Sequence, residues 1–450
     1  MRILEFAAVR GPVDYVFQYI KLQLSTVTFQ LQKRDPNGRS ETNRCAFWND
    51  TTQPDRSILT KDVLFPALRK AIETHPALGV RMEEESTSKA FFVKLGSIEL
   101  SHVVEFSDTD DLQAAFEGQL ARPFDTDADL PLWRVEVLAD NTVIVAMHHA
   151  IGDGLSTVVF HTSLFQGLQT IDSSNGSSSV LIPDTVELLP PIEAVTSLRP
   201  SLPKSAWTGR PVPETASLRT HVRLMKFTAP DVAAFTDTCR AHRATLSSAL
   251  YILTVSVLSH MIANDPARYK TISANVTLSL RGAAGARADV ICDYASVHHT
   301  YPRADPTFTW AAAARYAAEL RTQKTKAREV VGMLRFLFGH YVLYMKRQLG
   351  RKRAAAFVIS NLGRFDAPAG EGKWRIENTV FAQCDVVLGA ALKLNVVGDP
   401  TGAVNIALTW GNRASTRRLS SPSYHDSRTL FVAFLCRVLV KSSSGSGDGS

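Results

Sequence analysis

Between Lys61 and Glu73 the apolar residues Leu64, Leu68, Ala71 and Ile72 recur at three- and four-residue spacing. This pattern predicts an amphipathic helix, ended by His75-Pro76. Trp133, Val135 and Val137 then alternate with polar residues, Ala139-Asp140-Asn141 reads as a turn, and Thr142–Met147 is almost wholly apolar. Together they predict a hairpin whose second strand is buried and runs directly into His148-His149. After Gly152-Asp153-Gly154, helical spacing resumes at Leu155, Val158, Val159, Phe165 and Leu168. The local order is strand, polar loop, helix.

The second half repeats the style. Asp231–His242, Leu246–Ile262 and the alanine-rich Thr307–Lys326 read as helices, and Ser427–Val440 as a closing helix. Thr271–Leu280 reads as a buried strand ending at Arg281; Ala355–Ser360, Val380–Val387, Ala391–Val397 and Val404–Trp410 also read as strands. Between the halves, Ile171–Pro213 is dense in Ser, Pro and Gly and has no helical period, which predicts a linker. The chain thus divides into an N-terminal lobe (1–170), a linker (171–213), a C-terminal lobe (214–441) and a flexible tail (442–450). The fold class is α/β, each lobe a mixed sheet with covering helices.

Composition narrows the function classes. Of 450 residues, 45% are hydrophobic, and 50 Lys+Arg against 43 Asp+Glu leave a net charge of +7. That balance is mild for the length; it favours an anionic substrate weakly and is no nucleic-acid footprint. No apolar run approaches the roughly 18 residues of a spanning helix. Val330–Met345 and Leu430–Val440 are interrupted by Arg335, His340 and Arg437. The first residues lack the apolar stretch of a signal peptide. Cys45, Cys239, Cys292, Cys384 and Cys436 are scattered and form no CxxC pair, as expected of reduced thiols without a metal site. The expected location is cytoplasmic, with a peripheral place at a membrane or lipid surface as the alternative.

The chemistry concentrates in His148-His149-Ala150-Ile151-Gly152-Asp153-Gly154. The pattern HHxxxDG should arise by chance about 0.001 times in a chain of this composition. A strand end would deliver His149 to a cleft edge, where an imidazole titrating near neutrality can act as general base. Asp153 can pair with a cation or hold the turn, and Gly154 permits close approach. A satisfied pair of core histidines would explain a lone His more readily than it explains the whole motif. His148 is assigned to orienting the loop through a hydrogen bond. No GxSxG elbow, Walker loop or HExxH is present. His298-His299 lacks the downstream Asp-Gly and reads as a structural pair. The basic run Lys346, Arg347, Arg351, Lys352 and Arg353 reads first as a solvated face, with a CoA phosphate or an anionic membrane surface as alternatives. Val330–Met345 reads as a core helix, a lipophilic tunnel wall or an interfacial membrane contact.

HHAIGDG resembles the HHxxxDG signature of the condensation-domain-like, CoA-dependent acyltransferase superfamily. Within it the chain is most similar to the fungal alcohol acetyltransferase and N-acetyltransferase family. ILEFAAVRGPVDYVF, DVLFPALRKAIETHPALGVRM, RPFDTDADLPLWRVEVL, ATLSSALYILTVSVL, NVTLSLRG and VISNLGRF follow that family's pattern in order over nearly the full chain. The DFGWG motif of plant-type relatives is missing; LTWGNR is only superficially like it. The resemblance implies two chloramphenicol-acetyltransferase-like lobes with a channel between them. It implies acyl-CoA, foremost acetyl-CoA, as co-substrate, with no permanently bound cofactor and no metal. His149 would deprotonate an alcohol, phenol or amine acceptor, small and lipophilic, for direct attack on the thioester. Asp153 would form a structural salt bridge, for which Arg281 is the matching candidate. Ser360 and Asn361 would lie near the channel, where a hydroxyl or amide can stabilise an oxyanion, or else form a strand-end turn. The alternative is a condensation or offloading enzyme whose donor is a carrier-protein thioester. Secondary-metabolite tailoring is the expected setting.

Overall fold

The computed structural model describes residues 24–33, 59–84, 90–170, 177–183, 187–190, 192, 206–209, 219–262, 270–332, 351–366, 374–385 and 389–411. In chain order the elements are β1 (Leu24–Lys33), α1 (Lys61–Thr74), β2 (Val80–Glu83), β3 (Phe91–Lys94), β4 (Ser97–Glu99), β5 (Val104–Phe106), α2 (Leu112–Ala121), β6 (Trp133–Val137), β7 (Thr142–His148), α3 (Gly154–Thr170) and β8 (Ser179–Leu181). They continue with β9 (Thr220–Phe227), α4 (Ala229–Ala241), α5 (Leu246–Ile262), β10 (Ala274–Ser279), β11 (Ala295–Thr300), α6 (Trp310–Gly332), β12 (Ala355–Arg364), β13 (Trp374–Gln383), β14 (Ala390–Gly398) and β15 (Val404–Gly411).

Two mixed sheets organise the chain, in the spatial orders β13-β1-β7-β6-β5 and β11-β10-β12-β14-β15-β9. In the first, every residue of β7 is buried, because the strand is covered on both faces. Val143, Val145 and Met147 pack with Leu64 and Leu68 of α1 and with Phe160 and Leu164 of α3. The alternate residues Ile144 and Ala146 face Phe116 and Leu120 of α2, and with them Val222 and Ala407 of the second sheet. In the second sheet Leu394, Val396, Ile406 and Leu408 pack beneath Phe235, Leu250, Leu253 and Tyr316 from the helices. The lobes therefore meet through the faces their own outer helices leave open.

Three features depart from the sequence expectation. The strand expected at Val380–Val387 runs instead from Trp374 to Gln383, and it pairs antiparallel with β1 in the first sheet, Ser25 opposite Gln383 and Thr28 opposite Val380. The 214–441 unit thus lends one strand across the division, and β1 gains a partner on an edge that would otherwise be bare. Asn405 of β15 reinforces the crossing, its amide donating at 2.8 Å to Asn378 Oδ1 and at 2.8 Å to the Thr379 carbonyl. The Ser/Pro-rich linker is partly built into the lobes: β8 pairs with β4, Tyr294 donates to the Pro190 carbonyl at 2.7 Å, and Trp207 bridges Ile272. Arg353 is no part of a solvated face; it is buried and lies 3.4 Å from Asp385, which also takes Lys393 at 3.3 Å. Arg351 and Lys352 are exposed. Lys346, Arg347, most of Val330–Met345, Ser427–Val440 and the tail lie outside the described residues. Among the described residues no single helix is long and apolar enough to cross a membrane.

Candidate active site

Each letter of the HHxxxDG motif has a local physical cause. β7 ends at His148, whose N–H donates to the Leu132 carbonyl of the neighbouring chain segment at 2.9 Å. A turn follows, closed by Ile151 N–H donating to the His148 carbonyl at 3.1 Å. Within it, Ala150 N–H donates to His148 Nδ1 at 3.2 Å, and the ring meets Phe124 edge-on at 5.8 Å. Phe124 is itself fixed by the Arg134 guanidinium, 4.4 Å above its ring. His148 is thus held within its own turn.

Asp153 precedes the first residue of α3 and caps it: Oδ1 accepts from Ser156 N at 3.0 Å and from Ser156 Oγ at 3.1 Å. A carboxylate there also complements the positive end of the helix dipole. The other oxygen, Oδ2, takes Arg281 Nη1 at 2.5 Å and Tyr294 N–H at 3.2 Å. Arg281 also donates to Ser156 Oγ at 2.8 Å and to the Cys292 carbonyl at 3.0 Å. Asp153 and Arg281 are 3% and 4% exposed. Asp153 and Arg281 thus form a buried ion pair between the lobes, with both carboxylate oxygens hydrogen-bonded. Gly154 follows at a close approach: a Cβ there would lie 2.8 Å from Leu362 Cδ2 and 3.0 Å from Phe381 Cζ, so these side chains would have to shift.

His149, 6% exposed, projects from the turn. Its Nδ1 lies 2.9 Å from Asp293 Oδ2, a carboxylate of the second lobe. Burial opposes protonation of this imidazole, but Asp293, with a smaller contribution from Asp153, outweighs it and holds the pKa above the ordinary 6.5. Cys292 is the neighbour of Asp293, and burial pushes its thiol up to about 12, too high for a thiolate nucleophile near neutrality.

The structure brings His148, His149, Asp153, Gly154 and Arg281 together. It does not join Ser360 and Asn361 to them by any observed hydrogen bond. Asn361 donates to Ser247 Oγ at 2.9 Å and accepts from Gly363 N–H at 2.9 Å, the contacts of a strand-end turn with Gly363 at φ 81°. Leu362 of that strand reaches the motif, lying against Gly154. Sequence reasoning missed Asp293 and Ser156. His298 and His299 are held by Glu319 and Ser273, both at 2.9 Å, in keeping with a structural pair. Among the described residues, no group of three or more His, Cys, Asp or Glu is placed to hold a metal ion.

Comparison with known proteins speaks to the sequence and the fold. Residues 51–182 match the Condensation domain family and residues 313–439 the Alcohol acetyltransferase family. The chain is 24% identical over 390 residues to the probable alcohol acetyltransferase FCK4 of Fusarium pseudograminearum, covering 74% of this chain and 78% of that one. It is 25% identical over 352 residues to the probable alcohol acetyltransferase crmB of Aspergillus fumigatus, covering 70% and 75%. Its fold superposes on TRI3 trichothecene 15-O-acetyltransferase from Fusarium sporotrichioides with a TM-score of 0.64 at 12% identity, covering 94% and 93% of the two chains. Two segments of the chain match condensation-domain and alcohol acetyltransferase models, and its fold, two lobes each built on a mixed sheet, is that of the condensation-domain-like acyltransferases. Within that class it stands with the alcohol acetyltransferases and is a CoA-dependent acyltransferase.

Proposed function

We propose that this protein transfers an acyl group, foremost acetyl, from acyl-CoA to the hydroxyl of a small lipophilic acceptor, with His149 as general base. The observation that carries this is the placement of one imidazole at the end of a buried strand, with Nδ1 engaged by a carboxylate and its loop pinned across the lobes by Asp153 and Arg281. With Nδ1 occupied, Nε2 is the nitrogen that takes a proton from the acceptor. The hydroxyl oxygen then attacks the thioester carbonyl carbon as its proton passes to Nε2. The tetrahedral intermediate collapses by breaking the C–S bond, and the CoA sulfur recovers the proton from the imidazolium. Products are the ester and free CoA, and His149 ends as it began. Ser360, two residues before Leu362, is our candidate donor to the transient oxyanion. Cys292, its thiol protonated, offers no covalent route. The names of the relatives favour a hydroxyl over an amine acceptor.

The test is acceptor-dependent release of CoA thiol from acetyl-CoA over a panel of alcohols, phenols and amines, with the acylated product identified by mass. The reading predicts release with at least one alcohol or phenol. It fails if none of these supports release beyond background hydrolysis while an acyl group on a carrier protein is consumed.

A further inference from the structure

Asp293 lies 144 residues from His149 in the chain and belongs to no motif, yet its carboxylate is the hydrogen-bond partner of the base. Its position is tightly determined. The residue before it, Cys292, accepts from Asp153 N–H at 3.2 Å through its carbonyl and donates its own N–H to Ser156 Oγ at 3.0 Å. The residue after it, Tyr294, donates its N–H to Asp153 Oδ2. One residue further back, Ile291 is buried in the hydrophobic core of the first lobe. The segment from Arg281 to Tyr294 is therefore a strap from the second lobe, fastened to the catalytic loop on both sides of Asp293.

We propose that Asp293 is the positioning residue of the reaction: it holds His149 with the proton on Nδ1 and the bare lone pair on Nε2. This rests on the assignment of His149 as general base. An ionised carboxylate only accepts hydrogen bonds, so the Nδ1 that meets Oδ2 must carry the proton. The adjacent His148 is held the other way, because its Nδ1 accepts from Ala150 N–H and its proton therefore sits on Nε2. Of the two histidines, His149 alone offers a lone pair at Nε2. The same carboxylate stabilises the imidazolium that forms as the acceptor loses its proton. Among the described residues, the other charged group acting on the ring is Asp153, which is paired with Arg281.

Three variants test this, each checked for an unchanged melting temperature: Asp293→Asn, Asp293→Ala and Asp293→Glu. An asparagine amide can donate to Nδ1, which places the ring proton on Nε2, the wrong nitrogen. Asp293→Asn should therefore lower kcat on the order of 10- to 100-fold, with KM for acetyl-CoA little changed, and should be no better than Asp293→Ala. Asp293→Glu should recover part of the loss. In Asp293→Ala the acid limb of the kcat profile should move to lower pH, because the group that raises the imidazole pKa is gone and burial remains. A purely structural role predicts the reverse ranking, asparagine close to wild type and alanine worse, with an unmoved acid limb; that result overturns the proposal. His149→Ala run in parallel separates the two assignments. If it is inactive while Asp293→Asn matches wild type, the positioning role falls and the base stands. If it is fully active, the base assignment falls and takes this inference with it.

Discussion

Replacing Arg281 with methionine removes the only cation paired with the Asp153 carboxylate among the described residues, while keeping an apolar stem of similar length. In the wild type, Oδ2 of Asp153 takes Arg281 and Tyr294 N–H, and Oδ1 takes the backbone and hydroxyl of Ser156. The variant leaves a buried carboxylate with three hydrogen bonds and no counter-charge. Breaking a buried pair on one side costs about 3–5 kcal/mol, and the three surviving bonds place this case near 3 kcal/mol. At roughly 2–4 °C per kcal/mol for lobe-sized domains, the melting temperature should fall by about 6–12 °C. Asp153→Asn in the Arg281→Met background removes the stranded charge and should recover part of that fall, so the two changes will not add. Differential scanning calorimetry of the two single variants and the double variant measures the coupling. A melting temperature within about 1 °C of wild type for Arg281→Met, or strict additivity in the cycle, would refute a buried bridge that ties the lobes.

Gly154→Ala should destabilise the loop by about 1–2 kcal/mol, because its Cβ would sit 2.8 Å from Leu362 Cδ2 and 3.0 Å from the ring of Phe381; thermal unfolding reads the loss and kcat should fall with it. The wild-type kcat profile should lose activity toward acid through a limb above pH 6.5, since the base must be neutral and its pKa is raised; a limb below 6.5 would contradict the geometry at Nδ1. The linked stability has the opposite sense. The native state holds the extra proton, so the contribution of His149 is complete below its unfolded pKa and is lost as pH rises through the folded value. Urea unfolding at two pH values, with His149→Ala as control, isolates it.

Much of the site was legible because its signals are local. A buried run that ends in two histidines, followed by Gly-Asp-Gly and a helical period, specifies strand, turn and helix from adjacent residues. The capping role of Asp153 and the tight fit of Gly154 follow once that order is known. Arg281 was found through the motif resemblance rather than from spacing. Asp293 left no such trace: in VICDYAS nothing links it to His149 except a pairing 144 residues away. The strand β1 was also missed, although Val27, Phe29 and Leu31 alternate with Thr and Gln over Leu24–Lys33. The crossing of β13 into the first sheet was hidden for a different reason. The apolar DVVL that follows Cys384 drew the expected strand downstream, and sheet membership is decided by which edge lies unpaired, a tertiary fact. The linker misled by composition, since β8 sits in a Ser- and Gly-rich stretch yet pairs with β4.

The central claim is that the Nε2 nitrogen of His149 takes the acceptor proton for direct attack on acyl-CoA. It is tested most directly by comparing kcat for CoA release in wild type and His149→Ala, at saturating acetyl-CoA and an alcohol acceptor. The account predicts a fall of about 10²- to 10⁴-fold with the fold intact. A His149→Ala enzyme that releases CoA within a few-fold of wild type would contradict it.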